Sequence, residues 1–157
     1  MISYEQSKKI LKKAIIKIKD ESIVSVSSLN RVTSSNIYSK INYPTSDNAA
    51  FDGFAVNSSD TKKISKKLPK EFKIIGSIAA GSKPFKKKIK KFDTVEIMTG
   101  GVLPKGFDTI IPIEQIIFYP NKNKKNSILI SKKISKNNHV RFKGSDYKKN
   151  ELVIKKS

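Results

Sequence analysis

Cysteine and tryptophan are absent from the 157 residues, histidine occurs once and arginine twice. Without cysteine there are no disulfides and no thiolate metal centres, and the chain is compatible with a reducing cytosol. One histidine, His139, and no cysteine cannot assemble a zinc site or a Ser-His-Asp set. A lone histidine beside a strand is more often structural or exposed than catalytic, and His139 is assigned no role. No apolar stretch approaches the ~18 residues that a membrane span needs. The opening MISYEQSKKILKKAIIKIKD interleaves lysine with its apolar residues. It has no uninterrupted apolar segment and no small-residue cleavage site, so it does not read as a secretory signal. The chain reads as soluble and cytoplasmic, with no membrane partner.

What the sequence has in excess is positive charge, +20 overall. A balance of that size can serve nucleic acid, an anionic surface or an anionic small molecule. Of the 33 basic residues, however, only Arg31 and Arg141 are arginine and the other 31 are lysine. Readers of bases and phosphates usually employ the planar, bidentate arginine fork. The lysines lie scattered among Ile, Asn and Ser. A lysine-rich coding bias on a solvated surface accounts for them, and nucleic acid is not expected as a partner. The 37% hydrophobic content suffices for a core in one domain or two small ones.

Residues 3 to 18 carry the clearest helical signal. Ser3 can cap, and Gln6 stands three residues on to complete a capping box. Tyr4, Leu11, Ala14, Ile15 and Ile18 recur on one face, which predicts core contact. A short helix or turn is expected near Ser28 to Val32 and a strand near Asn36 to Lys40. Pro44 interrupts regular structure, and Ser46 to Gly53 reads as a loop. Strands are expected at Phe72 to Ile78, Thr94 to Met98, Thr109 to Ile113, Ser127 to Ser131 and Leu152 to Ile154, split by Gly and Pro turns. The lysine-rich stretches 62–70, 86–91 and 122–125 read as loops or exposed hairpin ends. The fold class is α+β, mostly β. An elongated N-terminal helix and strand domain, 1–45 with 147–157, carries an inserted small β-barrel-like domain, 46–146. The last strand is expected to return to the N-terminal portion.

Four stretches could carry chemistry. In Asp47-Asn48-Ala49-Ala50-Phe51-Asp52-Gly53, carboxylates supply hard oxygen ligands that suit Mg²⁺, and small alanines admit a ligand to the backbone. An Asx-turn at Asp47 and a turn at Gly53 explain the same letters without a ligand. "AAGSKPF", Ala79 to Phe85, offers amides and an ammonium, but it lacks P-loop spacing and reads first as a hairpin turn. In "EIMTGGVLPKGFDTII", a strand ends in Thr99-Gly100-Gly101. Two glycines could point successive amides at an oxyanion, although a strand-terminating turn also accounts for them. "HVRFKGSDYKKNE" brings Arg141, Lys143 and Asp146 near a turn.

Taken in order, "DNAAFDGFAV", "IGSIAAG", "EIMTGGVLPKGFDTII" with Glu114, and "VRFKGSD" resemble the N-terminal half of the molybdopterin molybdotransferases, the MoeA and gephyrin E-domain type. The resemblance runs over essentially the whole chain. Each piece is weak alone, and the ordered set is specific. Phe51 stands where the family usually has Met, Glu96 at a position often basic, Gly101 for a small Ala, and Ser145 for the Glu of the family's R-x-x-G-E-D turn. Family members continue into a pterin-binding α/β domain and a small β domain, and this sequence looks like the first two domains only.

The resemblance implies insertion of molybdate into adenylylated molybdopterin, with Mg²⁺ and release of AMP, by a homodimer. The cleft would form between this barrel-like domain and the pterin-binding domain of the other subunit. By position, Asp52 and Thr99 would be catalytic, with Asp52 at the metal. Asp47, Asn48, Gly100, Gly101, Arg141 and Asp146 would bind substrate. A non-catalytic dimerisation or scaffold module is the alternative, and a basic nucleic-acid binder stands behind both.

Overall fold

The computed structural model describes residues 1–14, 18–121 and 123–157. The described residues are mostly β with one α-helix, as expected, and the chain divides into two compact units, residues 1–37 with 154–157 and residues 38–153.

In the first unit, α1 spans Tyr4–Lys13. The Ser3 hydroxyl accepts from the Gln6 N–H at 3.2 Å and the Gln6 side chain accepts from the Ser3 N–H at 2.8 Å, so the capping box is complete. The helical signal runs to Ile18, but α1 ends at Lys13 with Ala14 extended; residues 15–17 lie outside the described residues, and Ile18 is non-helical. The apolar stripe departs from expectation more deeply. No residue of α1 is buried, and Tyr4, Ile10 and Leu11 are all exposed. A stripe at helical spacing predicts that a face will be covered, but not that the same chain covers it. A 3-10 turn follows at Ser25–Ser27, and the turn expected near Ser28 to Val32 is closed by Arg31 N–H donating to Ser28 O at 3.1 Å.

Strand β1, Ile37–Tyr38, pairs with β10, Leu152–Ile154, so the final strand does return to pair near the N-terminal portion. The second unit is built on a curled sheet of six strands. These are β3 (Gly53–Val56), β4 (Lys70–Ile78), β5 (Asp93–Ile97), β6 (Thr109–Pro112), β7 (Ile117–Asn121) and β8 (Lys124–Ile130). Their spatial order is β6-β3-β5-β4-β8-β7. All pairs are antiparallel except β4 with β5, which run parallel. A parallel pair needs a long crossover, and residues 79–92 supply it. The "AAGSKPF" stretch therefore opens that crossover rather than turning a hairpin.

Two clusters fill the faces of the sheet. One gathers Phe54, Val56, Phe72, Ile111 and Ile128, and the other Ala55, Val95, Ile97 and Ile110. Alternate residues of β3 feed opposite clusters, so the whole strand is buried and reads as an apolar run. In β4, Phe72 and Ile74 serve the first cluster and Ile75 and Ile78 the second. The register shift between Ile74 and Ser77 accounts for the reversal, because one extra residue moves every later side chain to the other face. Edge strand β7 contains Pro120, which lacks an N–H and is tolerated at an edge.

Candidate functional site

The loop after Pro44 is not irregular throughout. Asn48–Ala49 form β2, which pairs with β9 (Val140–Arg141), setting Asn48 opposite Arg141 and Ala49 opposite Val140. On its other side β2 meets the Thr99-Gly100-Gly101 turn. Ala49 N–H donates to Gly101 O, Gly100 N–H donates to Ala49 O, and Leu103 N–H donates to Asp47 O, each at 2.9 Å. The loop is thus sandwiched between the segments that carry Thr99 and Arg141. A methyl group on Gly100 would lie 3.5 Å from the Ala80 side chain, which places the crossover turn beside the same feature. All four stretches singled out in the sequence meet here.

Asp47 does not close an Asx-turn. Its Oδ1 accepts from the Lys143 N–H at 2.8 Å, clamping the loop to the 143–146 turn. Asp52, five residues further on, accepts two hydrogen bonds on the same oxygen. Thr99 N–H and Thr99 Oγ1 both reach Asp52 Oδ1 at 2.7 Å. These bonds, the backbone one foremost, hold the Asp52 carboxyl below its usual range. Because both fall on Oδ1, Oδ2 is left for an outside partner.

The glycines do not form a free anion nest. Gly100 N–H is taken by Ala49 O, and Gly101 N–H by Met98 O at 2.8 Å. Their contribution is shape. Gly100 adopts φ +79, and a side chain on Gly101 would crowd Met98 O and Ile97.

Arg141 and Asp146 form an ion pair that pulls the Asp146 carboxyl below its usual range. The guanidinium also lies 5.8 Å from the Tyr43 ring centroid. Ser145 Oγ adds a hydrogen bond to Asp146 at 3.1 Å. Lys143, grouped with Arg141 and Asp146 in the sequence, contributes through its backbone N–H. The residue that sequence reasoning passed over is His139. His139 takes φ +57, accepts from Ala50 N–H at 2.9 Å, and sets its ring edge-on to Phe51 at 5.0 Å. Only a left-handed backbone requirement could have flagged it, and that is not written in a lone histidine.

Among the described residues no group of three metal-ligating side chains occurs. A lone carboxylate fits a hard cation only when the substrate supplies other ligands. No helix among the described residues is long and apolar enough to cross a membrane.

A small mixed sheet thus brings its loops together around an acid held by the Thr99-Gly100-Gly101 turn. Residues 2–157 match the family described as "MoeA N-terminal region (domain I and II)", and the chain belongs to that family. It is 34% identical over 129 residues to the molybdopterin molybdenumtransferase of Staphylococcus aureus (strain Mu50), covering 82% of this chain and 29% of that one. The Bacillus subtilis (strain 168) protein of the same name is 30% identical over 129 residues, covering 82% and 30%. Among solved structures, the molybdopterin biosynthesis moeA protein from Pyrococcus horikoshii OT3 superposes with a TM-score of 0.87 at 27% identity, covering 99% of this chain and 40% of that one. The chain therefore spans about 30% of the length of these curated relatives.

Proposed function

We propose that this chain forms one wall of an active cleft in molybdenum cofactor biosynthesis, where molybdate enters the dithiolene of adenylylated molybdopterin and AMP is released. The observation that carries this reading is the doubly hydrogen-bonded Asp52–Thr99 pair, within a site gathered from all four family stretches.

Both reactants are anionic. Thr99 spends its hydroxyl and amide on Asp52 and so fixes the carboxylate's position and keeps it ionised. Asp52 Oδ2 is the atom that would hold Mg²⁺, with substrate phosphate and water completing its shell. When bound, such an ion polarises a phosphoryl oxygen. Arg141 turns Nη2 to Asp146, and its remaining N–H donors suit an oxyanion. Asp146 orients that guanidinium. Asp47 and Asn48 hold the loop, through Lys143 and the β2–β9 pairing, and Gly100 and Gly101 shape the turn.

A pterin-binding domain completes the cleft in this reading. A homodimer fits the first unit, where the exposed Tyr4, Ile10 and Leu11 side chains offer an apolar face to a second copy. The protein acts in the cytoplasm.

The test mixes the chain with a separately produced pterin-binding domain of the Bacillus subtilis relative and titrates adenylylated molybdopterin. Binding that is tighter than to either part alone, and weakened by Asp52→Ala, supports the reading. Binding unchanged by Asp52→Ala supports the non-catalytic module, and no added binding removes the cleft.

A further inference from the structure

The lysines are not spread evenly. Residues 61–92 contain twelve lysines and one acid, Glu71, so more than half of the +20 net charge sits in about a fifth of the chain. Residues 46–60 contain Asp47, Asp52 and Asp60 and no basic residue, and residues 93–118 contain four acids against Lys105. A uniform coding bias toward lysine gives no such segregation.

The topology turns this sequence pattern into a surface. Because β4 and β5 run parallel, with Lys73 opposite Asp93, the lysine-rich segments before each strand reach the same end of the sheet. β8 runs antiparallel to β4 with Ile130 opposite Lys70, so Lys132 arrives at that end too. The segments are tied together. Asp60 Oδ2 accepts from Phe92 N–H at 3.1 Å, and Thr61 Oγ1 accepts from Ile134 N–H at 2.9 Å. The Asp52–Thr99 pair belongs to the opposite end, because Thr99 lies two residues past the end of β5 and Gly53, next to Asp52, pairs with Ile97.

The acids near this end are held by uncharged donors rather than by lysine ammonium groups, and they are far fewer than the lysines. Asp60 holds Phe92, Asp93 Oδ2 accepts from Lys90 N–H at 2.7 Å, and Glu71 Oε1 accepts from Ser127 Oγ at 2.6 Å. Among the described residues the ion pairs are both arginine's, and no lysine has a carboxylate partner. Lys70 and Lys91 instead place their ammonium groups 4.8 and 5.0 Å from the centroid of the Phe92 ring. Two cations share one aromatic ring, and neither ammonium has a carboxylate partner.

The chemistry of the surface selects among anions. It holds no arginine for bidentate phosphate recognition. Phe92 offers no platform for base stacking, since lysines approach its ring and it packs edge-on to Phe72 at 5.4 Å. Leu68 stands 66% exposed among the lysines, an apolar contact that a polypeptide can match and a phosphate backbone cannot. We propose that the lysine-rich end of the sheet, around Lys62, Lys66, Lys67, Lys70, Lys90 and Lys91, docks an acidic polypeptide segment. The proposal is independent of the reaction assigned to the opposite end.

Poly-L-glutamate is the probe, measured by fluorescence anisotropy at low salt against duplex DNA and phosphatidylserine vesicles. Replacing Lys62, Lys63, Lys66, Lys67 and Lys90 by Gln is expected to weaken polyglutamate binding about tenfold or more. Replacing Lys40, Lys148, Lys149, Lys155 and Lys156, the same loss of charge elsewhere, is expected to change it less than about twofold. Leu68→Ser is expected to weaken it as well. All of these side chains are exposed, and circular dichroism checks that each variant keeps its fold. Equal weakening by both lysine sets, absence of binding, or tighter binding of DNA or vesicles than of polyglutamate overturns the proposal.

Discussion

Asp52 and Thr99, 47 positions apart, are joined by two hydrogen bonds of 2.7 Å to a single carboxylate oxygen. One carboxylate oxygen is occupied and the other free, so the acid is both fixed in place and available. Much of what can be tested follows from that asymmetry.

The first test is the pH dependence of the two site acids. Asp52 is held below its usual range by Thr99, and Asp146 by Arg141. A folded value below the unfolded one means that each contribution to stability is present above the ordinary carboxylate range. It is lost as pH falls through the lowered folded value. NMR of the carboxyl carbons is expected to find both residues still ionised where a peptide aspartate is half protonated. Thr99→Val removes the hydroxyl bond but keeps the N–H, so Asp52 returns only part of the way. Arg141→Gln raises Asp146 and leaves Asp52 unmoved. Identical titrations in wild type and variants would contradict the assignment.

Thr61 tests the junction beneath the lysine-rich end. It is fully buried, donates to Ser58 O at 2.8 Å and accepts from Ile134 N–H at 2.9 Å. Thr61→Val keeps the volume but strands a buried amide, which is expected to cost about 1–3 kcal/mol in urea denaturation. Ser59→Ala, on the exposed side of the same turn, is expected to stay within about 0.5 kcal/mol. A Thr61→Val loss no larger than that of Ser59→Ala would refute the role of this bond.

Gly53 tests the strand that leads out of the site. A methyl group there would lie 2.0 Å from the Ile111 carbonyl oxygen, so Gly53→Ala must force β3 and β6 apart. Gly81, at φ +73 in open space, carries only backbone strain, about 1 kcal/mol on substitution by Ala. Hydrogen exchange along β6 is expected to quicken strongly in Gly53→Ala and to remain unchanged in Gly81→Ala.

The sequence made some of this architecture legible and hid the rest for identifiable reasons. The Ser3–Gln6 box marked the helix start, and β-branched runs marked β4, β5, β6, β8 and β10. Strand β2 was hidden because Asn48 and Ala49 have little strand propensity and are held by partners on both sides. β9 is two residues long, and Pro120 disguised β7. The bulge in β4 falls between Ile74 and Ser77, and Gly76 was its one mark in the sequence. The apolar stripe of α1 announced a covered face but not its cover. At the site, each stretch had a sufficient local explanation as a turn. Only their shared order suggested that they belong together, and the cross-chain bonds of Asp47 and Asp52 could not be read from spacing.

The most direct measurement replaces the matching N-terminal region of the Bacillus subtilis relative with this chain and follows AMP release from adenylylated molybdopterin in the presence of molybdate and Mg²⁺. The account predicts a working chimera whose rate falls about a hundredfold or more with Asp52→Ala and partially with Thr99→Val. A chimera that turns over equally well without the Asp52 carboxylate would contradict it.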